Sequence, residues 1–216
     1  MKILSVSDVE LNLIYSPQIA ERFSQVDLIV SCGDLPYYYL EYMISMLDKP
    51  LFFVQGNHTP AIEYGSDWDK QYPVGGFNLH RKSRKTTDGL ILAGIEGSLR
   101  YNTGPHQFTQ NEMWMNVFRL VPQLFLNRLK YGRYLDVFIT HAPAWKIHDA
   151  DDRPHQGIKA FRWFDRVFQP SYHLHGHVHL YRQDAVKLTF LGRTKILNTF
   201  GYQVTDLHVP AENKPE

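Results

Sequence analysis

Lys2-Ile3-Leu4-Ser5-Val6-Ser7-Asp8-Val9-Glu10 opens the chain with a strand-like apolar run that ends on two carboxylates. The same figure returns four times. Leu28–Ser31 leads to Gly33-Asp34, and Leu51–Val54 leads to Gly56-Asn57-His58. Val137–Ile139 leads to Thr140-His141-Ala142, and Tyr172–Leu174 leads to Gly176-His177-Val178-His179. Each run is largely apolar, and each delivers metal-binding residue types just past the carboxyl end of a predicted strand. Open α/β sheets collect ligands at that edge. One such motif is weak evidence; five in register predict one shared site.

Working outward, Ser16-Pro17 predicts a helix to about Phe23, with serine as N-cap and proline at the first helical position. A second helix is expected from about Pro36 to Leu47, stopped by Pro50. Strands alternating with helices imply a largely parallel sheet. Thr59–Thr87 has no clear period and reads as an elaborated loop near the site. Within it lies the cluster His80-Arg81-Lys82-Ser83-Arg84-Lys85, either a solvated turn before the strand Leu90–Gly94 or a phosphate or nucleic-acid contact. Thr109-Gln110-Asn111-Glu112 has capping-box spacing ahead of a long helix, about Glu112–Lys130. Its Met113, Val117, Leu120, Leu124 and Leu129 read as a core face. A further helix is expected at Ile158–Phe168, ended by Pro170, and then strands alone: Val186–Leu191, Lys195–Thr199 and Val204–Val209. The pattern predicts an α/β (α+β) chain of two packed sheets with helices outside.

The 216 residues suit one domain, 1–216, with no internal repeat or long linker. With 23 basic and 22 acidic residues, no diffuse pull on nucleic acid or membrane is expected, a balance that leaves room for a local basic patch. The single Cys32 excludes an internal disulfide framework, fits a reducing cytosol, and reads as a buried small hydrophobe. No signal peptide is apparent, and Tyr37–Leu47 is too short to span a bilayer. A cytoplasmic protein is expected, with a frayed Pro210–Glu216; no motif speaks to oligomeric state.

The donor set is mixed. Asp8 and Asp34, with Glu10 as a further candidate, supply oxygen; His141, His177 and His179 supply nitrogen; Asn57 adds a neutral carbonyl oxygen. Such sites suit Mn, Fe, Zn or Ni, and the absence of cysteine ligands argues against structural zinc. Two divalent metals roughly 3.5–4 Å apart neutralise phosphoryl oxygens and provide hydroxide near neutral pH, with a shared carboxylate between them. His177 and His179, at i and i+2 on an extended segment, share a face, which puts His175 on the opposite one. His173 reads as structural.

On these motifs, from Asp8 to His179, the chain resembles the calcineurin-like metallophosphoesterases. The resemblance implies a four-layer β-sandwich of two mixed sheets flanked by helices. It implies one metal held by Asp8, Asp34, His179 and the residue at position 10, and a second held by Asp34, Asn57, His141 and His177. Asp34 is then the bridge, His58 the substrate-facing general acid, and a metal-bound hydroxide the nucleophile. Two features depart from the family pattern. Position 10 is Glu10 where the family usually has histidine, so it either ligates and shifts preference towards Mn, Fe or Mg, or points away and leaves the first site weak. Thr59 stands where an acid often follows Gly-Asn-His, which leaves Asp67, Asp69, another acid or none to orient His58. No Asp-Arg-Gly follows Gly33-Asp34, unlike the protein serine/threonine phosphatases, and the chain looks more like the small bacterial phosphodiesterase-type members.

Around the site, Glu96–Asn102 reads as a loop reaching towards substrate or an ordinary turn, with Arg100 as the first choice for a phosphate contact. The loop His148–His155 offers His148, Asp149 and His155 as substrate or rim residues, or is a solvated polar loop. Of Tyr37, Tyr38 and Tyr39, at least two are expected to pack inside. The leading reading is a hydrolase of a small phosphodiester or phosphomonoester with two divalent ions, manganese favoured. Its rivals are a nuclease of the same superfamily and a non-catalytic scaffold for protein binding.

Overall fold

A computed structural model describes residues 1–64, 69–182 and 184–208. In chain order the elements are β1 (Lys2–Ser7), α1 (Ile19–Arg22), β2 (Leu28–Ser31), α2 (Tyr37–Leu47), β3 (Leu51–Phe53), β4 (Gly76–Asn78), β5 (Lys82–Lys85) and β6 (Ile91–Ile95). There follow β7 (Ser98–Leu99), β8 (Gln107–Phe108), α3 (Gln110–Tyr131), β9 (Val137–Thr140), α4 (Lys159–Phe168), β10 (Tyr172–His175), β11 (Leu188–Leu191), β12 (Thr194–Asn198) and β13 (Gly201–Asp206). Two mixed sheets result, ordered β13-β1-β2-β3-β4 and β11-β12-β10-β9-β6-β5. The strands β1, β2 and β3 of the first sheet run parallel to one another, as do β9 and β10 of the second, and their ends carry the five motifs.

Period-two alternation builds the layers. Ile3, Leu28, Val30 and Phe52 of the first sheet meet Leu92, Val137, Ile139 and Leu174 of the second in a shared core. The alternate residues Leu4, Val6, Ile29, Leu51 and Phe53 pack outward against Ile19, Tyr39, Leu40 and Met43 of α1 and α2. On the far side, Ile91, Ala93 and Phe138 pack against Met113, Val117, Leu120 and Phe164 of α3 and α4. The helix–sheet–sheet–helix sandwich expected from the alternating pattern is what forms.

The Thr109–Glu112 capping box is present, and Gly132 in a left-handed conformation closes α3. Tyr37 and Tyr39 are buried, while Tyr38 is exposed. Three expectations are corrected. The helix at Ser16–Phe23 shrinks to the four residues of α1, because the Ser16 hydroxyl bonds back to the Leu13 carbonyl in a turn. Thr59–Thr87 is not all loop: β4 extends the first sheet, and Lys82–Lys85 of the basic cluster form β5, an edge strand of the second. Exposed edge strands rich in lysine and arginine carry no hydrophobic alternation, which hides them in sequence. Leu129 lies outside the core, 72% exposed. Val209 and Pro210–Glu216 fall outside the described residues.

The two faces of α3 are expected to respond differently to truncation. Leu124→Ala should destabilise by about 2–5 kcal/mol, and Leu129→Ala by under about 0.5 kcal/mol, as read by urea denaturation.

Candidate metal centre

The parallel strands end side by side, and three of the motif residues leave them in left-handed backbone: Asp8 (φ 66°), Asp34 (φ 56°) and His177 (φ 70°). For non-glycine residues this conformation costs of order 1–3 kcal/mol each and persists only where the surroundings enforce it. Here they do. Asp8 donates its N–H to the Gly33 carbonyl (3.2 Å), and its carboxylate accepts the His177 N–H at 3.0 and 3.1 Å. Glycines make the approach possible. A Cβ on Gly56 would stand 2.1 Å from Asp34 Oδ1, one on Gly33 2.8 Å from His141 Nδ1, and one on Gly176 2.6 Å from Asp8 Oδ2.

Asp34, His141 and His177 present ligand atoms that all lie within 4.8 Å of one another. His141 is fully buried; its Nδ1 donates to the Cys32 carbonyl (2.8 Å), which leaves Nε2 facing Asp34 Oδ2 (3.1 Å) and Asn57 Oδ1 (3.0 Å). His177 Nε2 donates to the Pro154 carbonyl (2.8 Å), which leaves Nδ1 3.1 Å from His141 Nε2. Asn57 Nδ2 donates to the Tyr101 hydroxyl (3.1 Å), so its carbonyl oxygen turns inward. Each ring and amide thus has its outer atom occupied and its inner atom turned to the shared centre, the usual way a protein fixes the orientation of metal-binding groups. Asp34 Oδ1 accepts the His58 N–H (2.8 Å) and the Thr59 hydroxyl (3.3 Å), and Thr59 Oγ1 accepts the N–H groups of Asp34 (3.2 Å) and Gly56 (3.0 Å). The residue that breaks the family pattern therefore braces the central carboxylate.

Charge follows the geometry. Burial works against ionising both groups, but the adjacent Asp34 and Asp8 carboxylates raise the His141 pKa to about 9. Asp34 is likewise opposed by burial, and the His141 charge and hydrogen bond hold it well below the ordinary carboxylate range. Burial, then the neighbouring His141, lowers His177 to about 3, which keeps its ring neutral, as metal ligation requires. The cluster fits a divalent cation: two histidine nitrogens, a carboxylate and an amide oxygen, with negative charge and steric room reserved by glycine.

The other predicted ligands are arranged differently. The Asp8 carboxylate caps the His177 amide, Glu10 is exposed and accepts the Tyr38 hydroxyl, and His179 is exposed, bonded to Tyr181 (2.7 Å) and stacked on Phe200 (4.7 Å). Among the described residues, Asp8, Glu10 and His179 do not form a second tight ligand group. A cavity of about 230 Å³ opens over the centre, walled by Asn57, His58, Tyr101, His155 and His179 with Asp34 and His177 at its base. His58 is exposed there; no side chain among the described residues bonds its ring, Asp69 included, and Asp67 lies outside them.

Of the rim candidates, His155 reaches the cavity and stands 5.0 Å from the His177 ring. Arg100 does not: its guanidinium binds Glu112 (3.0 Å) and the Gln107 carbonyl (3.2 Å). His148 is turned inward between His175 (3.0 Å) and Thr189 (2.8 Å), and burial lowers its pKa to about 4. Asp149 caps the amides of Lys146 (2.8 Å) and Gly157 (3.1 Å) and shapes its own loop. Cys32 is buried with its thiol pushed up to about 12, as an inert core residue. Sequence reading passed over Tyr101, next to Arg100, and the Pro154 carbonyl. The first was available as a phenol in a motif-adjacent loop; a main-chain contact has no sequence signal.

A sequence profile for the calcineurin-like phosphoesterases matches residues 1–181, and the chain belongs to that family. One solved crystal structure superposes with a TM-score of 0.64 at 15% identity, covering 94% of this chain and 93% of that one. TT1561 of Thermus thermophilus does so at 0.60 and 15%, covering 93% and 89%, and GAP50, the anchor in the inner membrane complex of Plasmodium, at 0.49 and 13%, covering 92% and 70%. No curated protein matches the sequence. Members of this family typically bind divalent metal, and among the described residues no helix is long and apolar enough to cross a membrane.

Tyr101→Phe is expected to weaken metal binding about 10–100-fold, because the Asn57 amide loses the contact that orients it; titration with Mn under chelator competition measures this. Since His141 is protonated below about 9 and a cation must displace that proton, affinity should rise about tenfold per pH unit from 7 towards 9 and then level.

Proposed function

We propose that the protein is a metal-dependent phosphoric ester hydrolase acting on a small phosphate ester, with a phosphodiester favoured over a monoester by the family resemblance. The observation that carries the reading is the group Asp34, Asn57, His141 and His177 at the base of a cavity with His58 at its mouth. A pure scaffold has no need for two histidines whose outer nitrogens are pinned so that their inner ones converge on a carboxylate.

The residues take distinct parts. Asp34, Asn57, His141 and His177 would hold one divalent ion, and Asp34 would share its carboxylate with a second, towards Asp8, Glu10 and His179. Bound there, such ions supply positive charge to the phosphoryl oxygens and lower the pKa of a water near neutral pH. His58, exposed and lining the cavity, would protonate the departing oxygen, and Tyr101 and His155, which line the same cavity, would flank the ester. Manganese is favoured among Mn, Fe, Zn and Ni because of the carboxylate-rich outer half. The cavity of about 230 Å³ and the near-zero net charge favour a small substrate over nucleic acid. No membrane-embedded role and a cytoplasmic location complete the reading, with the 216 residues acting as one domain.

One observation favours the non-catalytic alternative: Glu10 and His179 are both occupied by tyrosines, Tyr38 and Tyr181. Metal analysis with hydrolysis of a chromogenic diester and monoester after Mn loading separates the two. Close to two metals per chain with Mn-dependent turnover supports the hydrolase; no metal and no turnover under any loading rejects it. His58→Ala is expected to cut turnover by about 10²–10⁴-fold with metal content intact, whereas Asp34→Asn should empty both sites. Undiminished turnover in the first variant, or full metal in the second, refutes the role assigned.

A further inference from the structure

Helix α3 is apolar on two sides. Met113, Val117, Leu120 and Leu124 fill the core, yet Met115, Phe118, Phe125, Leu126 and Leu129 are between 50% and 72% exposed. At about 100° per residue these five, with the exposed Pro122 among them, fall within an arc of about 100° roughly opposite the core face. An ordinary surface helix puts charged and polar residues there.

Cations border this stripe on both sides. On α3 itself, Arg119 and Lys130 lie along one flank and are exposed. On the other flank packs α4: Trp163 touches Phe118 (ring centroids 5.7 Å), and Phe168 touches Phe125 (6.4 Å). Trp163 continues into an open cleft of about 330 Å³ lined by Trp145, Lys146, Lys159, Arg162 and Arg166. The ammonium groups of Lys146 and Lys159 sit over the Trp145 ring at 4.7 and 5.2 Å. Among the described residues none of Arg119, Lys130, Lys146, Lys159, Arg162 and Arg166 has a carboxylate partner. The acids of the two helices are both used elsewhere: Glu112 pairs with Arg100, and Asp165 is buried against His173.

We infer that the α3–α4 face docks the protein onto an anionic lipid surface. The chemistry is that of an interfacial amphipathic helix: large apolar side chains enter the boundary of headgroups and acyl chains, while flanking lysines and arginines reach the phosphates. Tryptophans that are half-buried at the edge suit the same boundary. Charge selects this occupant over a second copy of the chain. A two-fold interface places the same patch on both sides, and here that brings one cationic border against another. The inference does not depend on the metal centre, which lies at the strand ends rather than on this outer layer.

The test is flotation of the whole chain with vesicles, without substrate. The protein should float with vesicles of equal parts phosphatidylglycerol and phosphatidylcholine, bind pure phosphatidylcholine at least about tenfold more weakly, and release at high salt. Phe118→Ser with Leu129→Ser, and separately Arg119→Glu with Arg166→Glu, should each reduce binding about tenfold or more. All four sites are surface positions, so unchanged thermal melting and metal content confirm that the variants fold. No binding to anionic vesicles, or binding by both double variants equal to that of the parent chain, overturns the inference. So does a dimer by light scattering that Leu129→Glu dissociates, since a second copy then covers the stripe.

Discussion

The contact on which the site depends is the His141 ring lying between the sheets. Its Nδ1 donates to Cys32 at the end of a first-sheet strand, while its own backbone ends β9 of the second sheet. A single buried imidazole therefore sets the spacing of the two sheets at their ligand-bearing edge. The hydrogen bond also fixes the ring's orientation, so the other nitrogen faces Asp34 and Asn57. A second tie, from the Asp8 carboxylate to the His177 amide, crosses the same seam. The shared core behind them supplies the bulk stability, but these polar contacts decide the geometry at its edge.

The site is built asymmetrically. Its inner half, around Asp34, His141 and His177, is buried and held by carbonyls, glycines and Thr59. Its outer half, around Glu10 and His179, is exposed and bonded to tyrosines. The left-handed backbone of Asp8, Asp34 and His177 has the same logic as the glycines beside them: each turns the chain sharply out of a strand so that a functional group points back over the edge. Strain of this kind is tolerable only because the sheets on either side are over-determined by packing.

Much of the fold could be read from sequence because its signals are local and repeated. Strand ends followed by Asp, Asn or His gave five central strands, and Thr109 with Glu112 gave the start of α3. What escaped was decided by partners far away in the chain. Leu129 is instead a matter of phase: at about 100° per residue it falls on the face of α3 opposite Leu120 and Leu124, and it is exposed. Arg100 is the right residue type for phosphate, yet Glu112 twelve positions on captures it as part of a helix cap. His148 is spent tying its loop to His175 and Thr189 of the second sheet, and Asp149 on capping amides within the loop. Residue type predicts capacity, and competition among partners decides use.

That competition also changes what the loop after His141 is for. Of its ionisable residues, His155 faces the cavity, but the loop's most direct act is to offer the Pro154 carbonyl to His177. Through that bond the loop selects which imidazole nitrogen points at Asp34. Substitutions there act first on a ligand's orientation and only then on anything bound above it. The same holds for Tyr101 through Asn57. Groups that look like substrate contacts by position are, in this arrangement, also the outer braces of the candidate metal ligands, so on the proposed reading specificity and metal affinity vary together when these loops change.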